Sequence, residues 1–186
     1  MRRAIVPLLL ALAALGFFLL SSPSRVQTDT LTDPPSQLVA LSGPDEPGEK
    51  LEFWGRVLDY RGQPLAKAAV VAYHTDRTGL YNSPSAGTRI PRLRGVCVTD
   101  DAGRYGFTTI RPAAYPNGND PAHIHLVVTA AAHQVRYVEY WFSGDPLITK
   151  AHREQAVGNP SLAIVELLGD AKQGWTFSHD IQLEAD

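Results

Sequence analysis

The stretch DPAHIHLVV, residues 120–128, places His123 and His125 two positions apart in an otherwise apolar run. A short apolar run bounded by turn residues reads as a buried strand. In a strand, residues i and i+2 share a face and rise about 6.6 Å between them. Both imidazoles therefore project together, while Ile124, Leu126 and Val128 take the opposite face. Histidine is the commonest metal ligand, and two imidazoles on one face can converge on a single ion. Taken alone, the pair reads equally as half of a metal site or as two partly exposed histidines on the wet face of an edge strand.

Two upstream tyrosines bear on that choice. Tyr115 stands eight residues before His123, in the Pro-rich segment RPAAYPNGNDP that delivers the chain to the histidine strand. A long loop carrying a bulky aromatic beside a candidate site points to function. Tyr81 lies in TGLYNSP, another irregular segment. The chain holds seven tyrosines, so either one alone reads as ordinary packing.

The elements that must position these residues read as strands. From Leu51 onward, β-rich runs alternate with turn punctuation: 51–59, 68–74, 95–100, 104–110, 123–128, 135–142 and 177–183. Turn signals recur every ten to fifteen residues or so, the rhythm of an all-β protein built as an antiparallel sandwich or barrel. Long site-bearing loops separate some of the runs. The pattern G-x-V-x-D-x-x-G, and T-D-x-x-G-R-Y-x-F after it, suits tight Asp-x-x-Gly turns followed by an aromatic entering the core. SLAIVELLG, residues 161–169, is ambiguous between helix and strand.

Composition narrows the classes. The 186 residues are enough for one domain with a real core, and a formal net charge of −2 offers no electrostatic basis for a nucleic-acid partner. Cys97 is the single cysteine, so no intrachain disulfide forms, and its strand-like setting reads as a small buried hydrophobe. Residues 1–22 read as a signal peptide or signal anchor: MRR is followed by an uncharged apolar run over 4–20. This predicts export, periplasmic or secreted, with membrane contact only through that segment. Residues 23–50 read as a flexible linker, and residues 51–186 as the folded domain.

Four segments now carry a resemblance: TGLY (78–81), RGVCVTDDAGRYGFTTIRPAAYP (94–116), PAHIH (121–125) and the F-x-G-D-P of WFSGDP (141–146). In their order and spacing they resemble the intradiol ring-cleavage dioxygenases, the family of protocatechuate 3,4-dioxygenase and catechol 1,2-dioxygenase. The resemblance implies a β-sandwich of that type and a non-haem Fe(III) cofactor. It implies Tyr81, Tyr115, His123 and His125 as the metal ligands. It also implies a small aromatic diol and O2 as substrates, ring opening between the hydroxylated carbons to a muconate-type product, and Tyr115 as the catalytic residue that takes a substrate proton. The chemistry is coherent: phenolates are hard anionic donors suited to a hard trivalent ion, and two of them offset two of its charges.

Two positions depart from the family pattern. Asp120 stands directly before PAHIH, where the familiar enzymes carry Arg, and Glu139 stands where they often carry Gln. Both add negative charge beside a site meant for anions, which favours a neutral or bulky catechol over a carboxylated one. Arg111 and Arg94 are candidates to supply the missing cation. Two other readings compete: an exported β-sandwich module that binds a carbohydrate or protein, and a divergent homologue that binds iron without efficient ring cleavage.

Overall fold

The computed structural model describes residues 33–83, 85 and 87–186. The expected export segment lies outside the described residues, as does the first part of the expected linker. Among the described residues, eleven strands and one short helix follow in chain order: β1 (Val39–Ala40), β2 (Lys50–Leu58), β3 (Ala69–His74), β4 (Leu93–Val98), β5 (Arg104–Ile110), β6 (His123–Thr129), β7 (Arg136–Phe142), α1 (Lys150–Ala156), β8 (Leu162–Val165), β9 (Leu168–Asp170), β10 (Gly174–Ser178) and β11 (Ile181–Gln182). They form two sheets. One runs β1-β5-β2-β10-β9, with β11 also on β2; the other runs β4-β3-β6-β7-β8.

Apolar alternation explains which face of each strand is buried. Phe53, Phe107 and Phe177 of the first sheet and Ile124, Leu126, Tyr140 and Phe142 of the second are all 2% exposed or less. Phe53 sits at the centre, 5.2 Å from both Phe107 and Phe177 and edge-on to Tyr140 at 6.4 Å. Each such side chain contributes roughly 1.5–3 kcal/mol through burial.

Polar links cross this core. His74 of β3, fully buried, lies 2.8 Å from the Thr109 hydroxyl of β5, and its Nδ1 lies 2.6 Å from the Thr75 carbonyl. The Tyr105 hydroxyl donates to the His179 carbonyl at 2.7 Å and accepts from Tyr140 of the opposite sheet, also at 2.7 Å. Gly55 permits that crossing, because a Cβ there would stand 1.9 Å from the His179 oxygen.

The structure departs from or refines the sequence reading in four places. Part of the expected linker belongs to the fold: Pro35 and Leu38 lie against Gly106, β1 pairs with β5, and Leu41 is buried against Gly95. The sandwich is mixed rather than antiparallel throughout. Pairings β2–β5, β3–β4, β3–β6, β6–β7 and β9–β10 are antiparallel, but β1–β5, β2–β10, β2–β11 and β7–β8 are parallel. The ambiguous segment 161–169 becomes β8 and the start of β9, two short strands on different sheets. The last expected strand is interrupted at Asp180, whose carboxylate accepts from the Arg56 backbone N–H at 2.8 Å, taking a role that a strand gives to a carbonyl.

Candidate functional site

Tyr81 comes from the 75–92 loop between β3 and β4, and Tyr115 from the 111–122 loop between β5 and β6. His123 and His125 open β6. The Tyr81 and Tyr115 hydroxyls lie 2.6 Å apart, Tyr115 Oη lies 3.2 Å from His123 Nε2, and the two Nε2 atoms lie 3.0 Å apart. All four residues singled out in the sequence are thus brought tip to tip.

The two loops are stitched together before they reach this point. The Ala113 N–H donates to the Asp76 carbonyl at 3.1 Å, and the Thr75 hydroxyl donates to the Ala113 carbonyl at 2.7 Å. Asp76 folds the tyrosine loop on itself: its carboxylate accepts from the Thr78 N–H and hydroxyl and from the Leu80 N–H, and meets Arg92 at 3.2 Å. Burial pushes this carboxyl up, but those hydrogen bonds outweigh it and hold Asp76 below the usual carboxylate range. Gly79, at φ +81°, lies against the Tyr115 loop so closely that a Cβ would stand 2.1 Å from the Ala114 oxygen. Asp145, from G-D-P, anchors the start of β6: one oxygen accepts from the Ala122 N–H at 3.0 Å and the other from the Leu147 N–H at 2.8 Å.

Hydrogen bonding assigns the imidazole lone pairs. His123 Nδ1 lies 2.7 Å from the Pro121 carbonyl, which can only accept, so Nδ1 carries the proton and Nε2 the lone pair. His125 Nδ1 faces Glu139 Oε1 at 3.4 Å, again an acceptor, which gives the same tautomer. Two lone pairs therefore point at each other across 3.0 Å. The Tyr115 proton can serve His123 and the Tyr81 proton can serve Tyr115, which leaves His125 Nε2 without a donor. A cation between the four tips resolves this frustration. Nitrogen and oxygen donors about 2 Å from a common first-row ion stand about 3 Å from one another, the spacing seen here. Two phenols and two imidazoles suit a hard trivalent ion such as Fe(III). Among the described residues there is no cluster of three or more His, Cys, Asp and Glu that could hold a metal.

Electrostatics agree with a site made for a cation. Burial, followed by the hydrogen bond that Tyr81 donates to Tyr115, pushes the Tyr81 phenol far above its ordinary value. Its ionisation at neutral pH therefore calls for a strong positive charge beside it. Burial also lowers His123, which keeps its ring neutral and able to ligate.

The sequence reading gave three neighbours no role, although two of them lie in the quoted segment WFSGDP. Tyr73 of β3 stacks on His125 with centroids 4.8 Å apart and rings 20° from parallel. It lies in register with His125 on one side and with Arg94 on the other. Trp141 lies in register with His123 and donates from Nε1 to Glu139 Oε2 at 3.0 Å. Asp145 is the third. Strand alternation puts Glu139 and Trp141 on one face, and Tyr73 opposite His74; only the strand pairing shows that these faces coincide with the histidines' face. Glu139 is held below the usual carboxylate range by His125 first, against burial, and by Trp141.

Of the candidate cations, Arg111 is turned away. It pairs with Glu49 at 3.5 Å and lies over the Phe142 and Trp175 rings. Arg94 is exposed on the same sheet row as Tyr73, His125 and Glu139. Asp120 is exposed, and its charge is the last and weakest of the influences on the His123 ring. A surface groove of about 480 Å³ opens elsewhere, between β8 and the 179–182 segment. Its acid, Asp180, is already engaged by Arg56 at 2.6 Å.

Comparison with known proteins bears directly on this geometry. A family model described as dioxygenase matches residues 21–185. Chlorocatechol 1,2-dioxygenase of Rhodococcus opacus is 32% identical over 123 residues, which is 56% of this chain and 48% of that protein. The protocatechuate 3,4-dioxygenase beta chain of Burkholderia cepacia is 36% identical over 112 residues, 54% of this chain and 48% of that one. The chain spans about half the length of these relatives. Among solved structures, 3-chlorocatechol 1,2-dioxygenase from Rhodococcus opacus superposes with a TM-score of 0.64 at 24% identity, over 80% of this chain and 65% of that one. The dioxygenase domain of a dioxygenase–carbohydrate-binding fusion from Streptomyces sp. SirexAA-E gives 0.63 at 22% identity, over 83% of this chain and 91% of that one. At these identities the two structures speak for the fold alone.

Proposed function

This chain belongs to the intradiol ring-cleavage dioxygenase family, and on that premise we propose that it holds a non-haem Fe(III) on Tyr81, Tyr115, His123 and His125 and cleaves a catechol-type aromatic diol with O2 to a muconate-type diacid. The observation that carries this reading is the meeting of four donor tips within 3.2 Å of their neighbours, with two lone pairs facing each other. When bound, the ferric ion supplies the Lewis acidity that holds the diol as a catecholate and makes its ring reactive toward O2.

This chain's own residues do the rest. The Pro121 carbonyl and Glu139 fix both imidazoles with Nε2 toward the donor cluster. Tyr115, on the loop that leads into β6 and with its hydroxyl between Tyr81 and His123, is the ligand assigned to accept a substrate proton at Oη. Tyr81 is restrained by the Asp76 turn and stays in place. Tyr73 stacks on the His125 ring and Tyr81 lies tilted to it at 6.4 Å, so aromatic rings pack against that imidazole.

Reconstitution with ferric iron tests the reading. Stoichiometric iron and a broad visible tyrosinate-to-iron band are expected, followed by O2 uptake on adding catechol. Colourless protein that retains no iron would overturn it. A band that catechol perturbs without O2 consumption would support the metal site and refute the ring cleavage.

The basic start and the apolar run over residues 4–20 further support export of the domain. Fusing residues 1–50 to a reporter active only outside the cytoplasm checks this, and an inactive fusion would refute it.

A further inference from the structure

Glu139 sits where two N–H donors converge from neighbouring strand positions. Its Oε1 lies 3.4 Å from His125 Nδ1, and its Oε2 accepts from Trp141 Nε1 at 3.0 Å. The register explains the meeting. Glu139 is directly opposite His125 across the β6–β7 pair, and Trp141 is two residues farther along the same face. Antiparallel neighbours on one face lie about 4.5–5.5 Å apart at Cβ, within reach of a glutamate.

The number of acceptors matters. A carboxylate offers two acceptor oxygens, one for each donor. A glutamine offers a single acceptor, and its NH2 group would face either the indole N–H or the imidazole N–H, donor against donor. The pocket around residue 139 therefore matches a carboxylate and not the amide of the same shape. Trp141 is only 7% exposed and packs edge-on against His152 at 5.1 Å, so the indole N–H has a fixed direction.

We propose that Glu139 is the positioning residue for His125: locked by Trp141, it orients the imidazole, and it adds a fixed negative charge that strengthens His125 as a ligand and lowers the Lewis acidity of the ion the four tips hold. The proposal rests on the metal reading above. Carboxylate partners of this kind fix the ligand tautomer and raise its basicity, and their loss typically costs 10–100-fold in metal affinity. The added charge also disfavours a second anion nearby, so this site suits a catechol without a carboxylate on the ring better than one that carries it.

Three proteins test this: the full-length wild type, Glu139→Gln, and Glu139→Gln combined with Trp141→Phe. The readouts are iron retention against a chelator, the wavelength of the tyrosinate-to-iron band, and the melting temperature of the iron-free proteins. The single variant is expected to lose iron about 10–100-fold faster. Its band is expected at longer wavelength, because a stronger Lewis acid draws charge from tyrosinate at lower energy. The double variant removes the indole donor, so the amide oxygen is free for His125. Retention should recover while the band stays displaced, since the charge is still missing. Wild-type retention and an unmoved band in Glu139→Gln would overturn the proposal. So would a loss of iron that merely tracks a drop in apo-protein stability and is not recovered in the double variant. A wild type that binds no iron would instead overturn the functional reading itself.

Discussion

At the scale of single residues, the site is a set of groups whose metal-free state is unfavourable. Tyr81 is a buried phenol pushed far above its ordinary ionisation range, first by burial and then by Tyr115. His123 and His125 present lone pairs to each other at 3.0 Å. Each costs free energy that a cation recovers. Removing donors one at a time should therefore have separable effects. In Tyr115→Phe, three donors remain, so iron is retained at reduced affinity, the visible band shifts and weakens, and turnover falls roughly 10²–10⁴-fold if Tyr115 is also the proton acceptor. In His125→Ala, a strand-borne ligand is gone and iron should be lost with the colour. Absorption spectra and metal analysis of the two variants check this, and spectra matching wild type in both would refute the ligand set.

At the scale of elements, two long loops bring the tyrosines to a strand that already holds the histidines. Their crossing is tight. Gly79 occupies a left-handed conformation, φ +81°, with the Ala114 carbonyl where a Cβ would go. Replacing it with alanine adds about 1–2 kcal/mol of backbone strain and forces the loops apart. Gly62→Ala is the control, because Gly62 has φ +78° and nothing within 4 Å. Gly62→Ala should lower the melting temperature modestly and keep its iron. Gly79→Ala should lose iron disproportionately, and equal iron retention in the two variants would show that the crossing does not position the tyrosines.

The same crossing marks where one-dimensional reading stops. His-x-His on one face follows from strand alternation alone, and the Asp-x-x-Gly turns follow from local punctuation: Asp100 Oδ1 accepts from both the Ala102 and Arg104 N–H groups at 2.9 Å, as that motif predicts. Both are short-range facts. The contact of Gly79 with Ala114, the register of Glu139 with His125 and the stacking of Tyr73 depend on how separate segments meet and pair, which no single run of residues specifies. The parallel pairings were hidden for the same reason. Alternation tells which face is buried but not which strand lies alongside or in which direction. The site's donors were legible through their pattern; the residues that aim them were not, because nothing local distinguishes an orienting Glu or Trp from a solvated or packed one.

At the scale of the whole molecule, the two sheets are joined by a buried neutral histidine. His74 of β3 reaches Thr109 of β5 at 2.8 Å and is fully buried. Burial drives its pKa from 6.5 down to about 4; the Thr75 carbonyl opposes this, and the nearby Glu46, Arg92 and Asp76 charges partly cancel. In the unfolded chain His74 takes up a proton near pH 6.5, whereas in the fold it does not until about pH 4. Between those values the unfolded state binds more protons, so stability rises with pH through the window and is lost as pH falls through it. The full displacement corresponds to about 3 kcal/mol, a large fraction of a domain's stability. His123, also lowered by burial, contributes a slope of the same sign. Comparing the iron-free wild type with iron-free His74→Gln removes that shared part, and Gln keeps a polar partner for Thr109. Urea midpoints measured from pH 7 to pH 4 should fall more steeply in the wild type. His74→Gln should start less stable at pH 7 and converge on the wild type near pH 4. Parallel curves would mean that the proton taken up on acid unfolding does not go to His74, and that the link between the sheets is not what acid breaks.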